Sequence, residues 1–148
     1  MTAAIIIPVK EKDQLEHCFS IRKEVFVKEQ QVPLELEIDE FDVLNEHVHH
    51  LLVEVEGKPA ATGRLLYYKD NAAKLQRIAV SKAYRGQGLG AVLVIALEEL
   101  ARELGLTKSV LDAQCQAEGF YEKLGYITVS SEPFDDAGIP HVRMEKIL

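Results

Sequence analysis

The sequence predicts an α/β (α+β) fold, a sheet flanked by helices, and three observations predict it. Extended β-branched or alternating segments interleave along the chain with segments whose apolar residues recur at helical spacing. A glycine-rich turn, Arg85-Gly86-Gln87-Gly88-Leu89-Gly90, stands where an extended apolar run gives way to the clearest helix. At 148 residues, 47% hydrophobic and 28% charged, the chain is also long enough for one well-buried core. One domain over residues 1–148 is therefore expected.

Ala4-Ile5-Ile6-Ile7 is a β-branched strand closed by Pro8, after which Asp13 offers an N-cap for a helix through about Val27. Leu15, Phe19, Arg22 or Lys23, and Phe26 recur within it at helical intervals. Val32-Pro33 stops that helix, and the acidic stretch from Leu34 to Asn45 has room for a short second one. His49 to Val55 reads as a strand, Gly57-Lys58-Pro59 as a turn, and Ala60 to Tyr68 as the antiparallel partner. Asp70-Asn71 turns the chain into an extended run from Ala73 to Val80.

From Gly88 the apolar residues Leu89, Val92, Leu93, Ala96, Leu97, Leu100, Ala101 and Leu104 mark one helix face, and Gly105 ends it. Lys108 to Ala113 is a further strand, Ala117 to Leu124 a short helix ended by Gly125, and Tyr126 to Val129 with His141 to Lys146 a closing pair. Ser130 to Pro140 between them is polar, contains Gly and Pro, and reads as a loop.

The glycine turn carries the first functional signal. A helix N-terminus leaves backbone N–H groups unpaired and partially positive, and glycines let a phosphate approach them closely. A P-loop requires Gly-Lys-Ser/Thr at its end, where this chain has Gly90-Ala91. A dinucleotide turn is a better match, since Gly86, Gly88 and Ala91 satisfy its spacing and Asp112 follows about twenty residues on. That turn starts almost directly off its strand, however, and here Ser81-Lys82-Ala83-Tyr84-Arg85 intervenes, with too little chain after Asp112 for a six-stranded doubly wound sheet.

Taken with its arginine, the turn reads Arg85-x-x-Gly88-x-Gly90, and Ala117-Glu118-Gly119-Phe120-Tyr121-Glu122-Lys123-Leu124-Gly125-Tyr126 follows downstream. These two blocks resemble the acetyl-CoA pyrophosphate loop and the Ala-x-x-Phe-Tyr-x-Lys-x-Gly-Phe/Tyr helix of the GNAT superfamily of N-acetyltransferases. Arg22-x-x-Val25-Phe26-Val27-x-Glu29-Gln30-x-Val32-Pro33, with Gly138-Ile139-Pro140-His141-x-x-Met144, resembles a small single-domain bacterial branch of it. The resemblance implies a mixed, mostly antiparallel central sheet that splays between two strands. It also implies acetyl-CoA as co-substrate and direct attack by an amine in a ternary complex.

Carried over residue by residue, the resemblance assigns Arg85, Gly86, Gln87, Gly88, Leu89, Gly90 and Ala91 to the pyrophosphate. It assigns the backbone of Ile78, Ala79 and Val80 to the pantetheine arm and acetyl carbonyl, with Ala117 beside them, and Tyr121 to protonation of the departing thiolate. Where the family commonly has a pantetheine-binding asparagine, the chain has Gln114, the same amide on a longer stem. The bland alternatives are core roles for Ile78, Val80 and the Phe120-Tyr121 pair. Cys115 has no dedicated base, so a covalent acetyl-cysteine route is not expected.

An alkylammonium near pKa ~10.4 must lose a proton before it attacks, so a carboxylate or histidine is needed nearby. Glu29, Asp39, Glu40 and His141 are the candidates, and His141 reads equally as a strand residue satisfied by a backbone carbonyl. The dense acids Glu35, Glu37, Asp39, Glu40 and Asp42 read either as a solvated face or as a surface that steers a cationic amine, with KM rising in high salt.

A formal net charge of -7 argues against nucleic acid or an anionic membrane as partner. The expected acceptor is a small-molecule or peptide amine, and a homodimer is compatible with the sequence. Cys18 and Cys115 show neither a disulfide framework nor metal spacing, and no run looks like a signal or membrane segment, which fits the cytoplasm. His47, His49 and His50 lack a third ligand at persuasive spacing, so no metal is expected. An acyl-CoA-binding module without turnover and a dinucleotide-binding protein are the competing functions.

Overall fold

A computed structural model describes residues 3–148, and among them eight strands form one open sheet in the order β1-β2-β3-β4-β5-β8-β6, with β7 alongside β8. The strands are β1 (Ala4–Pro8), β2 (Val48–Val55), β3 (Lys58–Tyr68), β4 (Ala72–Val80), β5 (Lys108–Gln114), β6 (Ile127–Thr128), β7 (Phe134–Asp136) and β8 (Ile139–Ile147). Every pairing is antiparallel except β4 with β5. The helices are α1 (Lys12–Arg22), α2 (Leu34–Glu37), α3 (Leu89–Glu103) and α4 (Glu118–Lys123), with a π-helical segment at Lys23–Glu29.

Helix α3 covers one face of the sheet. Its periodic residues Leu93, Val94, Leu97 and Ala101 are fully buried against Leu65, Ala61, Ala73 and Leu75 of β3 and β4. Burial at this level is worth ~2 kcal/mol for each large apolar side chain. Cys18 and Ile21 of α1, with Val25 after it, pack on Leu52 and Ala79 from the opposite face.

Three expectations shift. The N-cap of α1 is Glu11 rather than Asp13, because Gln14 Oε1 accepts from the Lys10 and Glu11 N–H groups and closes the helix start two residues earlier. The helix expected through Val27 stays α-helical only to Arg22 and then widens to i→i+5 bonding, with Gln30 N–H on Val25 O at 3.2 Å. The Ser130 to Pro140 loop contains β7, where Phe134–Asp136 pairs with Ile139–His141 around a turn at Ala137-Gly138.

The feature that builds a site is the β4–β5 junction. These strands pair only from Ala72 with Lys108 to Leu75 with Leu111. Beyond that, β5 stays with β8 to Gln114 while β4 stays with β3 to Val80, so the two diverge. At the same point the β3–β4 register slips between Thr62 and Arg64, and Arg77 takes φ +56°, a bulge that bends β4 away.

Candidate active site

A cleft of about 590 Å³ opens where β4 and β5 part. Its walls include Gln76 to Val80 of β4, Leu111 to Gln114 of β5, Arg85, Ala117, Tyr121 and His141, drawing together residues that the sequence spreads over sixty positions. Backbone N–H and C=O groups on the open edges of β4 and β5 have lost their ladder partners and need others.

Arg85 is on the cleft wall, and the glycine turn that follows it lies just outside, with residues 86–91 off the wall and Gly90 against Val80. Gly86 (φ +81°) and Gly88 (φ +78°) adopt left-handed backbone, which lets the chain reverse sharply from the Lys82–Tyr84 3₁₀ turn into α3. Among the described residues the N–H groups of residues 86–91 have no protein acceptor, and the first of the helix to find one is Val92, on Gly88 O at 3.2 Å. Gly90 fits for a different reason: a Cβ there would meet the Phe120 ring at 3.3 Å. The result is a row of unpaired donors at the positive end of a fifteen-residue helix.

Tyr121 lies on the cleft wall, 8% exposed, with its ring held edge-on by Phe120 at 5.0 Å and Tyr126 at 5.8 Å. Burial pushes its hydroxyl up to about 12, so it is a proton donor at every ordinary pH. Tyr126 is fixed in turn, since its hydroxyl donates to Glu98 Oε2 at 2.8 Å and lies 2.7 Å from Ser109 Oγ. Packing and an open hydroxyl are thus properties of the same Tyr121 side chain.

Of the four base candidates, only His141 is on the cleft wall. Its Nδ1 sits 2.7 Å from Ile139 O and its ring stacks on Phe134 at 6.2 Å. A carbonyl can only accept, so Nδ1 carries the proton in the neutral ring and the Nε2 lone pair is free. The carbonyl bond expected of a structural histidine and the free nitrogen expected of a base coexist.

The acids are placed otherwise. Glu29 takes Arg85 in a bidentate ion pair at 2.5 and 3.0 Å, which holds its carboxyl below the usual range. Asp39 is bound by both Arg64 Nη groups at 2.7 and 2.8 Å, and Glu40 is exposed off the cleft. The acidic stretch is neither a solvated face nor a free steering surface over most of its length. Arg22 binds Glu37 at 2.6 Å and Asp42 at 2.6 Å, while Arg64 bridges Asp42 and Asp39 beneath Phe41. Burial raises the Asp42 carboxyl, but Arg22, the Asp39 N–H and Arg64 outweigh it and hold it at about 2.

Sequence reasoning missed Glu37 as a cleft residue, because it counted Glu37 as one acid in a run. The usable signal was Arg22, a cation on the buried face of an otherwise apolar helix stripe. It also missed Arg77, which reaches from the β4 bulge to Leu36 O, Glu37 O and the Asp39 carboxylate. Gln114 is on the wall as expected, but its amide donates to Gln30 Oε1 and accepts from Gln116, each at 2.7 Å. His49 and His50 bind Tyr67 and Phe41 O, and no group of three metal-ligating side chains occurs among the described residues. No helix there is long and apolar enough to cross a membrane.

The model of the acetyltransferase (GNAT) domain family matches residues 8–148. The chain belongs to the GNAT acetyltransferase family. This family uses acetyl-CoA, and an N-acetyltransferase activity for the present member follows from its relatives. The uncharacterised N-acetyltransferase YjcF of Bacillus subtilis is 46% identical over 137 residues, covering 93% of this chain and 95% of its own. Among solved structures, an acyl-CoA N-acyltransferase from Pseudomonas aeruginosa superposes with a TM-score of 0.84 at 30% identity, over 99% of both chains. An aminoglycoside 6'-N-acetyltransferase in complex with coenzyme A has a TM-score of 0.77, covering 97% of this chain and 96% of its own, and at 15% identity shares the fold.

Proposed function

We propose that this GNAT member acts as a single domain in the cytoplasm and moves the acetyl group of acetyl-CoA to a primary amine, small molecule or peptide, by direct attack in a ternary complex. The observation that carries the reading is that the open β4 and β5 edges, Tyr121 and Arg85 share one cleft, with the unpaired N–H groups at the start of α3 following Arg85 directly in the chain. Arg85 on the cleft wall and the unpaired N–H groups of residues 86–91 beside it are the donors that suit a diphosphate. The open edges near Ile78 to Val80, with Gln114 and Ala117, suit a pantetheine arm, for which Gln114 must exchange a protein partner for a ligand amide.

Bound acetyl-CoA supplies the acetyl group as an activated thioester. The residues of the chain then divide the work. A β4 N–H near Ile78 to Val80 donates to the acyl oxygen, an interaction typically worth ~3 kcal/mol where charge develops. His141 Nε2 takes the proton of the incoming ammonium, directly or through water, and Tyr121 Oη donates toward the departing sulfur. Arg77 and Glu37 hold the segment at residues 36–39 against β4, so the acceptor side of the cleft is rigid.

Thiol release with a panel of amines at saturating acetyl-CoA tests the reading. Turnover with at least one amine, abolished when Tyr121 and His141 are both replaced, is the expected result. Tight CoA binding with no thiol released from any amine would make the chain an acyl-CoA-binding module instead.

A further inference from the structure

Glu24 and Glu29 contribute nothing to the chemistry just described, yet their side chains reach the connection that follows β4. Glu24 accepts from Ser81 Oγ at 2.9 and 3.0 Å and from the Lys82 N–H at 2.9 Å. Glu29 takes both Arg85 Nη groups, while Arg85 Nε donates to Val80 O at 3.0 Å. Both carboxylates therefore act on the connection between β4 and α3, more than fifty residues away in the chain.

The π-helical segment explains how one short stretch does this. Glu24 and Glu29 are five residues apart, which would put them about 140° apart around an α-helix. With i→i+5 bonding, residues at that spacing swing onto one face, much as i and i+4 do in an α-helix. The widened turn is thus the local geometry that lets both acids face the same loop.

Arg85 lines the cleft and Glu29 does not, so the carboxylate holds the guanidinium from the side away from the cleft. Glu29 engages two of the five guanidinium N–H groups and Val80 O a third, which leaves two for a ligand at a fixed orientation. We propose that the π-helical segment Lys23–Glu29 is a positioning device for the cofactor loop, with Glu24 anchoring its backbone and Glu29 orienting Arg85 toward the cofactor diphosphate. This rests on the reading that residues 85–91 receive those phosphates.

The test compares acetyl-CoA with acetyl-pantetheine, which keeps the thioester and lacks the phosphates, in Glu29→Gln, Arg85→Ala and the double variant. Glu29→Gln is expected to raise KM for acetyl-CoA about tenfold, with kcat and the KM for acetyl-pantetheine unchanged. The double variant should be no worse than Arg85→Ala alone, because Glu29 acts through that arginine. An unchanged or lower KM for acetyl-CoA in Glu29→Gln overturns the proposal, as does an equal loss with both substrates or additive losses in the double variant. If Arg85→Ala itself leaves the acetyl-CoA KM unchanged, the phosphate assignment of the loop fails, and the positioning role fails with it.

Discussion

Replacing Tyr121 with phenylalanine removes one oxygen from the cleft and little else. The ring stays in place, because its contacts with Phe120 and Tyr126 at 5.0 and 5.8 Å are made by carbon edges. Among the described residues no protein group is bonded to the hydroxyl and it is not a buried unpaired atom, so its loss orphans no partner there and unfolding free energy should change by under ~1 kcal/mol. The catalytic cost is larger. With the hydroxyl at about 12 and a free thiol near ~8.5, full proton transfer is uphill by ~5 kcal/mol in water terms. The burial that raises the phenol also raises a thiol brought beside it, which narrows the gap, so hydrogen bonding to the leaving sulfur is the main contribution. We therefore expect kcat to fall about 100-fold, at the low end of general-acid effects, with KM for acetyl-CoA unchanged. The assay is thiol release at saturating amine across pH, with thermal unfolding alongside. Tyr121 stays protonated up to about 12, so the wild type and variant should share the same pH profile below pH ~11. An unchanged kcat, or a loss matched by a collapse in Tm, would refute the reasoning.

Four further outcomes follow from the same geometry. His141→Gln keeps a polar side chain and removes the open imidazole nitrogen, so kcat should drop ~100-fold and recover partly with added imidazole; an unchanged kcat, or a loss that imidazole does not rescue, would exclude it as the base. Arg22→Met leaves the Glu37 and Asp42 carboxylates buried without their shared partner, a loss of ~3–5 kcal/mol visible as a Tm lower by roughly 10 °C. Asp42 titrates at about 2 in the fold, below its ordinary value of 3.8, so it stabilises the protein above pH ~4 by about 2 kcal/mol. That contribution disappears as pH falls through 2, and Asp42→Asn should flatten that limb of an acid denaturation series. Arg77→Gly retains access to φ +56° while deleting the guanidinium, so a raised amine KM in Arg77→Gly separates the loop anchor from backbone strain, which Arg77→Ala would add.

Local order was readable without the structure wherever one periodicity or one turn decides it. The α3 stripe from Leu89 to Leu104, the β2–β3 hairpin and the Gly86–Gly90 turn depend on neighbours within a few residues, and helix spacing or backbone freedom announces them. The β7 strand escaped because its three residues carry no alternation of their own and exist by pairing with β8. The π-helical segment escaped for a similar reason: its apolar spacing is close to that of an α-helix, and its distinguishing feature is which carboxylates meet Ser81 and Arg85.

The sequence by itself determined the family, the order of the elements other than β7 and the π-helical segment, and the phosphate-type turn, because those rest on short-range patterns. Only the tertiary structure decided which titratable groups are free. Glu29 meets Arg85 across 56 residues and Asp39 meets Arg64 across 25, and each pairing occupies a carboxylate that the sequence left open. His141 keeps an open nitrogen because β8 and β7 turn its ring onto the cleft wall. Charge is a property of a residue, but whether that charge is available depends on burial and on partners distant in the chain, and neither has a local signature.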